Sequence, residues 1–433
     1  MIAAVGFIMI ITIVVLLLKG KMSPIVVLAV IPSIAALILG HNPIEIAGMI
    51  KDGISTTTSN GILFIFSVIY FGVLSDTGLF DIIVNFLVRL AGNNVIAVTV
   101  ATAIVATVAH LDGTTATTVL ITIPALYPVY KKMKIDPKIL LCLTGACMGV
   151  MNLLPWGGPT ARAATVLQMD ANELWHLLIP VQIMGLVCNI ALAVVMGLLA
   201  LKQGAGAGKG EAVEEDTAAQ QEADALRKHG ALLVFDLLLT VGVIAVLSMG
   251  LAQSYVVFMV ALCILLAVNY PDQKLQDKLI KKHAPAALII SATLFAAGAM
   301  VGVFDGTGML NEMANAIMSV IPTALGKYIH IIFGILALPL GLCIGTDAYF
   351  YGIMPLVMQV GETYGVASLS TAMAMIIGKN LALMVSPLVP ATFLAIGLTG
   401  TELKDHMKFS IPPYFIISVL MVILSVIFGV IPL

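Results

Sequence analysis

Apolar runs of roughly 17 to 25 residues, the length that crosses a bilayer as a helix, recur along this 433-residue chain with short polar stretches between them. They predict spans at 2–18, 24–40, 60–77, 138–169 and 174–201, and again at 231–250, 252–269, 286–304, 366–398 and 410–432. Two further runs, 94–130 and 325–360, are interrupted midway by polar turns, LDGTT at 111–115 and GTD at 345–347. They read as re-entrant hairpins that enter and leave on one side. Segments 79–91 and 309–320 are amphipathic, the pattern of helices lying at the membrane interface. Two spans carry helix breakers: NLLPWGGPTARAA at 152–164 and SPLVP at 386–390. Proline removes a backbone donor and glycine lets the chain unwind, so both spans are expected to be discontinuous.

The pattern repeats. An offset of 230 residues lays GVLSDTGLFDIIVNFLVRLAG (72–92) on GVFDGTGMLNEMANAIMSVIP (302–322), with Gly72 on Gly302 and Gly78 on Gly308. Pro124 and Pro159 stand 35 residues apart, as do Pro355 and Pro390. Internal repeats of this size in a membrane protein point to a secondary transporter. The fold expected is an all-α polytopic membrane protein of two inverted repeats, 1–202 and 231–433. Each has five transmembrane helices, one of them broken, plus a re-entrant hairpin. Between them, QGAGAGKGEAVEEDTAAQQEADALRKHG at 203–230 has nothing to bury and reads as a cytoplasmic linker. Its GAGAGKG lacks the phosphate-loop spacing and a preceding strand.

Composition narrows the classes. With 60% hydrophobic and 10% charged residues and a mean hydropathy of +1.10, the chain's solvent is lipid. A formal charge of −2 leaves no basic face for nucleic acid. Cys142, Cys147, Cys188, Cys263 and Cys343 stand singly in apolar runs with no CxxC pair, so buried thiols are expected rather than disulfides, a zinc site or a nucleophile. No positive residue precedes the first apolar run and no small-residue cleavage site follows it, so it reads as a span rather than a signal peptide. With both termini outside a plasma membrane and the linker in the cytoplasm, all but four of the 21 basic residues fall on the cytoplasmic side, as the positive-inside rule requires. Lys51 and Lys327 fall outside, and Arg162 and Lys379 fall within spans.

Those two mark the chemistry. A cation near the bilayer centre costs roughly 2.5–3.5 kcal/mol on insertion scales, so it normally faces a cavity and meets an anion. Each lies close to a helix break, and irregular backbone is tolerated at that depth only where it lines a cavity. Four helix ends, at LDGTTATT, PWGGPT, GTDAYFYG and SPLVPAT, would offer free N–H groups and positive dipole ends to carboxylates. The substrate-binding candidates are Thr114, Thr115, Asn152, Gly157, Gly158, Arg162, Thr346, Lys379, Asn380, Ser386 and Thr392. Asp112 and Asp347, at the two tips, are candidates for proton coupling or a metal, since an ionised carboxylate there must meet a cation, a proton or a lysine. His110 beside the first tip is a candidate proton relay. Structural roles compete: an ion pair or the freed carbonyls of the break for Arg162, an ion pair for Lys379, a turn for Asp112 and Asp347, a satisfied donor for His110, and partners for unwound backbone for Asn152 and Asn380. Asp76 and Asp305 read as helix caps.

At these residues the sequence resembles the citrate–divalent metal:proton symporter family of the ion transporter superfamily. The resemblance runs through YFGVLSDTGLFD, AHLDGTTATT, MGVMNLLPWGGPTARAATVL, GTDAYFYGIMPLV and SPLVPATFLAIGL, in both halves. It implies proton-coupled uptake of citrate, free or as a complex with magnesium or a similar divalent cation, by a homodimer with elevator motion. No permanently bound cofactor is implied. On the matching positions it assigns Asp112, Gly113, Thr114 and Thr115 to the first tip, Gly157, Gly158, Pro159 and Arg162 to the first break, Thr346 and Asp347 to the second tip, and Ser386 to Pro390 to the second break. Where the family often has LDGDGTTT, this chain has LDGTTATT, one carboxylate fewer. That leaves the metal open.

Other readings compete. Sodium could replace the proton, held by unwound carbonyls near Asn152 and Asn380, and the guest could be another di- or monocarboxylate. An intramembrane aspartyl protease would use paired aspartates, but it needs neither the repeat nor the extra cations, and GxGD and HExxH are both absent. A channel would need no symmetric breaks.

Overall fold

The computed structural model describes residues 1–19, 22–206, 226, 228, 230–318 and 323–432. Most of the expected linker, including its GAGAGKG glycines from residue 207 on, lies outside the described residues, as do Lys21, Lys209, Arg227 and positions 319–320 of the second amphipathic segment. Among the described residues there are helices and no strands.

The first half comprises α1 (Ile2–Lys19), α2 (Pro24–Ile38), α3 (Pro43–Asp76), α4 (Leu79–Ala91), α5 (Val95–Ala109), α6 (Thr115–Lys132), α7 (Pro137–Met151), α8 (Gly158–Val166) and α9 (Ala171–Lys202). The second comprises α10 (Ala231–Ser248), α11 (Ser254–Asn269), α12 (Gln273–Thr307), α13 (Met309–Met318), α14 (Ile329–Cys343), α15 (Met354–Thr363), α16 (Ser368–Lys379), α17 (Pro390–Thr399) and α18 (Leu403–Ile427), with a one-turn piece at Thr323–Gly326. The order of long, short and interrupted helices is the same in both.

Seven helices among the described residues are long and apolar enough to cross a membrane, Pro43–Asp76 and Gln273–Thr307 among them, and shorter apolar helices stand between. Both of these begin well before the apolar runs that announced them. In α3 the reason is local. The Asn42 carboxamide accepts from the Ile44 and Glu45 amides at 2.9 Å, and the Glu45 carboxylate accepts from the Asn42 amide at 3.2 Å. This capping box starts the helix inside a polar stretch, and Thr56 and Thr58 then donate to the carbonyls of Gly53 and Ile54, so polar residues continue it.

These two long helices pack along most of their length. Their seam is glycine: a Cβ on Gly53 would lie 2.1 Å from the Gly298 carbonyl oxygen, and one on Gly302 2.1 Å from that of Met49. Small residues four apart let helix backbones touch in this way, and Ser291 adds a hydrogen bond to the Gly61 carbonyl at 2.8 Å.

Each expected hairpin is a pair of contacting helices, α5 with α6 and α14 with α15. The first turns through a 3-10 segment, His110–Asp112, and Gly113 with φ +70. The second turns at 344–347 and continues into α15 through a π-helical segment, Ala348–Ile353. Arm α5 with its 3-10 turn, Val95–Asp112, is itself one of the seven helices of spanning length. Both breaks fall at the proline-glycine stretches. Helix α7 ends at Met151 and α8 starts at Gly158; α16 ends at Lys379, passes through the 3-10 segment Asn380–Val385, and α17 starts at Pro390.

Two expectations need correction. Asp76 and Asp305 cap nothing. Asp76 ends α3, where its carboxylate accepts from Lys282 at 2.6 Å and His283 at 2.9 Å, and Asp305 lies inside α12 and accepts from Gln168. The residue before α4 is instead Gly78, with φ +81 and no side chain to cap with. The cysteines are not all buried: Cys142 and Cys147 are, Cys188 is half-buried, and Cys263 and Cys343 are exposed on apolar helices. An apolar face toward lipid has no need to be covered by protein, so an apolar sequence context does not imply burial.

Candidate functional site

The two tips and the two breaks meet around one cavity of about 810 Å³. Asp112, Thr114, Thr115 and Ala116 line it from the first tip, Asn152, Trp156, Gly158, Pro159 and Arg162 from the first break. Thr346 and Asp347 line it from the second tip, and Leu388, Val389 and Pro390 from the second break. The N-terminal ends of α6, α8, α17 and the helical stretch that becomes α15 therefore all face this space, and each brings the positive end of its peptide dipoles. Pro159 and Pro390 stand in the first turns of α8 and α17, where the missing N–H and fixed φ cost a helix nothing. The rest of the wall is largely apolar, from Leu17, Met22, Pro24, Phe64, Val68 and Ile290, with Ser23 beside them.

Arg162 joins the halves. Its Nε donates to Asp347 Oδ1 at 2.6 Å and its Nη1 to the Gly158 carbonyl at 3.0 Å, with about a fifth of either side chain exposed to the cavity. A guanidinium and a carboxylate thus bridge the first break to the second tip. On the other diagonal, the Tyr127 hydroxyl in α6 donates to the Thr399 carbonyl at the end of α17 at 2.7 Å. Trp156 ties the first break to the first tip: its Nε1 donates to the Leu111 carbonyl at 2.6 Å. Its ring packs against Phe71 and Phe258, with centroids 5.4 and 4.9 Å away. In the sequence Trp156 stands within the first break, and its aromatic bulk beside two glycines is the local signal of this role.

The family model described as citrate transporter, CitMHS, matches residues 4–378. Two proteins of Bacillus subtilis (strain 168) align with the whole chain. One, described as a citrate transporter, is 34% identical over 431 residues and is itself covered completely. The other, described as a Mg(2+)/citrate complex secondary transporter, is 35% identical over 439 residues and is covered to 99%. The chain belongs to the citrate transporter family. Among solved structures, the YdaH transporter of Alcanivorax borkumensis superposes with a TM-score of 0.61 at 13% identity, over 88% of this chain and 89% of that one. That likeness concerns the fold. This member of the family is thus a multi-pass membrane transporter and not an enzyme, which removes the protease reading.

Within this citrate transporter family fold, the remaining candidates stand behind the cavity wall. Lys379 is buried; its Nζ donates to Thr346 Oγ1 at 3.0 Å and lies 5.0 Å from the Phe350 ring centroid and 5.8 Å from that of Tyr349. Its stem runs over Gly341, where a Cβ would come within 2.9 Å of its Cγ. Lys379 thus reaches the cavity through Thr346 rather than directly. His110 is fully buried, with Nδ1 2.6 Å from the Thr118 hydroxyl and Nε2 donating to Asn152 Oδ1 at 3.2 Å. Asp112 holds the first tip together, since Oδ1 accepts from the Thr114 amide at 2.8 Å and Oδ2 from the Thr114 hydroxyl at 2.6 Å. Gly157 is packed on the Asn152 carbonyl. The Ser386 hydroxyl donates to the Leu342 carbonyl at 3.4 Å and that of Thr392 to Leu383 at 3.3 Å. Asn380 is buried with neither side-chain polar atom partnered. Among the described residues no three His, Cys, Asp or Glu side chains group as metal ligands would.

Proposed function

We propose that the protein is a secondary active transporter that carries citrate, free or as a divalent-metal complex, into the cell by proton-coupled alternating access. The observation that carries this reading is the Arg162–Asp347 contact in a cavity ringed by four helix N-terminal ends. Citrate is a small multiply charged anion, and converging dipole ends with a guanidinium stabilise carboxylates without burying an unpaired positive cluster. A metal–citrate complex also has a positive part, for which the Asp347 carboxylate is a partner of the right sign. The relatives described as citrate and Mg(2+)/citrate carriers support this chemistry. A divalent ion here is cargo. Asp112 and Asp347, at the two tips, are the candidates for a coupling proton.

In this reading the halves are inverted repeats, the hairpins are re-entrant, and the lysine-rich loops are cytoplasmic. The cavity wall at Met22, Ser23 and Pro24 then lies toward the cytoplasm, so this conformation is inward-facing. On the opposite side polar contacts hold the loop between α8 and α9. Asn60 of α3 donates to the Met169 carbonyl at 3.0 Å and accepts from the Ala171 amide at 2.9 Å, Gln168 binds Asp305, and His176 donates to the Leu247 carbonyl at 2.8 Å. An elevator motion in a homodimer would slide the hairpins and broken spans along the α3–α12 seam and release these bonds.

Sodium coupling is the second reading, favoured by one observation: the unpartnered Asn380 carboxamide beside the second break. Uptake of labelled citrate into proteoliposomes, with and without magnesium, calcium or zinc and under imposed proton or sodium gradients, separates them. Accumulation driven by a proton gradient alone supports the proposal; accumulation that needs sodium, or no citrate uptake with any metal, refutes it.

A further inference from the structure

We propose that Asp236, paired with Asn269 in the wall formed by α3, α10 and α11, is a proton-binding site separate from the substrate cavity. Asp236 lies in the second turn of α10, fully buried, and Asn269 ends α11 and is buried as well. Asn269 Nδ2 donates to Asp236 Oδ1 at 2.7 Å. The other oxygen of each group, Asp236 Oδ2 and Asn269 Oδ1, is buried with no hydrogen-bond partner. Both are acceptors, and a buried acceptor left unpaired costs about 1–3 kcal/mol, more when it carries charge.

The neighbouring hydroxyls donate to backbone carbonyls or to one another, including Thr77, whose side chain also neighbours the Asp236 carboxyl. Thr240 donates to the Asp236 backbone carbonyl at 2.8 Å, Tyr70 then donates to Thr240 at 3.0 Å, and Thr77 donates to the Leu74 carbonyl at 2.8 Å. A carboxylic acid and a primary amide pair through two opposed hydrogen bonds, amide N–H to one acid oxygen and acid O–H to the amide oxygen. The first of these is present, and the two orphaned oxygens are the pair that the second would join. One proton on Asp236 Oδ2 turns two unsatisfied acceptors into a donor and its acceptor. A metal cation would need more oxygen ligands than these two.

Among the described residues, the charged and titratable groups around the site have partners of their own, and Lys228 is also near enough for its charge to act on Asp236. On α3, Asp76 is held by Lys282 and His283 of α12. Lys228 stacks over the Tyr270 ring at 4.2 Å, and its backbone amide donates to Thr77. Tyr70 is bonded to Thr240, and the Tyr270 hydroxyl donates to the Leu226 carbonyl. Among the described residues none forms an ion pair with Asp236. The site does not depend on which substrate the cavity takes.

The test is the infrared spectrum of the full-length protein in lipid at neutral pH, for the wild type and Asp236→Asn, with and without 13C-labelled aspartate. The expected result is a protonated-carboxyl carbonyl band in the wild type that moves on labelling and is lost in Asp236→Asn. A difference spectrum showing only carboxylate bands overturns the proposal. Asparagine mimics the neutral acid and supplies a donor for Asn269, so Asp236→Asn is expected to keep citrate uptake within about twofold of wild type, the range of a surface-like change. Should that variant fail to assemble, Asn269→Ala decides: the acid band shifts to higher frequency when its acceptor is gone, and an unmoved band contradicts the pairing.

Discussion

Arg162 of α8 and Asp347 of the second tip are 185 residues apart in sequence and 2.6 Å apart in space, Nε to Oδ1. The contact couples the broken span of one half to the hairpin of the other, so whatever occupies the cavity is read by both at once. Asp347→Asn keeps an acceptor for Nε and removes the charge. If Asp347 carries the coupling proton, the variant retains citrate counterflow but loses gradient-driven accumulation by about tenfold or more, equivalent to ~1.4 kcal/mol. Parallel counterflow and net-uptake assays on one proteoliposome preparation check this.

Gly113 makes the first tip possible. At φ +70 a side chain is strained, and a Cβ would lie 2.8 Å from the Trp156 carbonyl oxygen. A left-handed non-glycine residue costs about 1–2 kcal/mol, or roughly 5- to 30-fold in an equilibrium. Gly113→Ala is expected to raise the KM for citrate by that order while leaving the amount of protein in the membrane unchanged, measured by initial uptake rates against a quantified blot.

Gln168 occupies a left-handed position, φ 54, at the end of α8, and from there its carboxamide binds Asp305. Gln168→Gly keeps the turn and deletes the bond, and hydrogen bonds to charged groups contribute about 1.5–3 kcal/mol. If this conformation is the inward-facing one, as proposed, its equilibrium against the alternative should shift by about tenfold or more on that scale. The readout is labelling, by maleimide added from the cytoplasmic side, of a cysteine placed at Ala116 in the cavity wall, which should slow, by up to that factor where the accessible state is the minor one.

Lys379 and Gly341 should behave as one unit. A methyl at 341 would press on the lysine Cγ at 2.9 Å and swing its ammonium off Thr346. Gly341→Ala and Lys379→Met are therefore both expected to slow uptake, and the double variant to be no worse than Lys379→Met alone, because the effects of sites that share one interaction do not add. A double-mutant cycle on initial rates tests it.

How much of this was legible in the sequence depended on range. The breaks and tips were, because proline, glycine and Asp-Gly act on their own backbone: Asp112 bonds Thr114 two residues away, a relation that local pattern contains. The pairings Arg162–Asp347, Lys379–Thr346 and Gln168–Asp305 join distant segments and leave no trace in spacing. The two cations looked equivalent by depth and proximity to a break, yet only Arg162 lines the cavity, because Gly341 lets the lysine turn along α14. The early start of α3 was hidden because an apolar run marks where a helix is greasy, while the Asn42 capping box marks where it begins. Asp76 and Asp305 were misread because an aspartate shortly before an amphipathic helix looks like a cap until its carboxylate is seen to reach another segment.

The central claim is that the space between the paired breaks and tips holds the carboxylates and that Arg162 faces them. The most direct measurement is equilibrium binding of labelled citrate to purified protein, with magnesium present and absent, for wild type, Arg162→Lys and Arg162→Ala. Removing one partner of a buried charged pair costs about 2–5 kcal/mol, so Arg162→Ala should abolish measurable binding and Arg162→Lys should weaken it. Wild-type affinity in a folded Arg162→Ala protein would contradict the account.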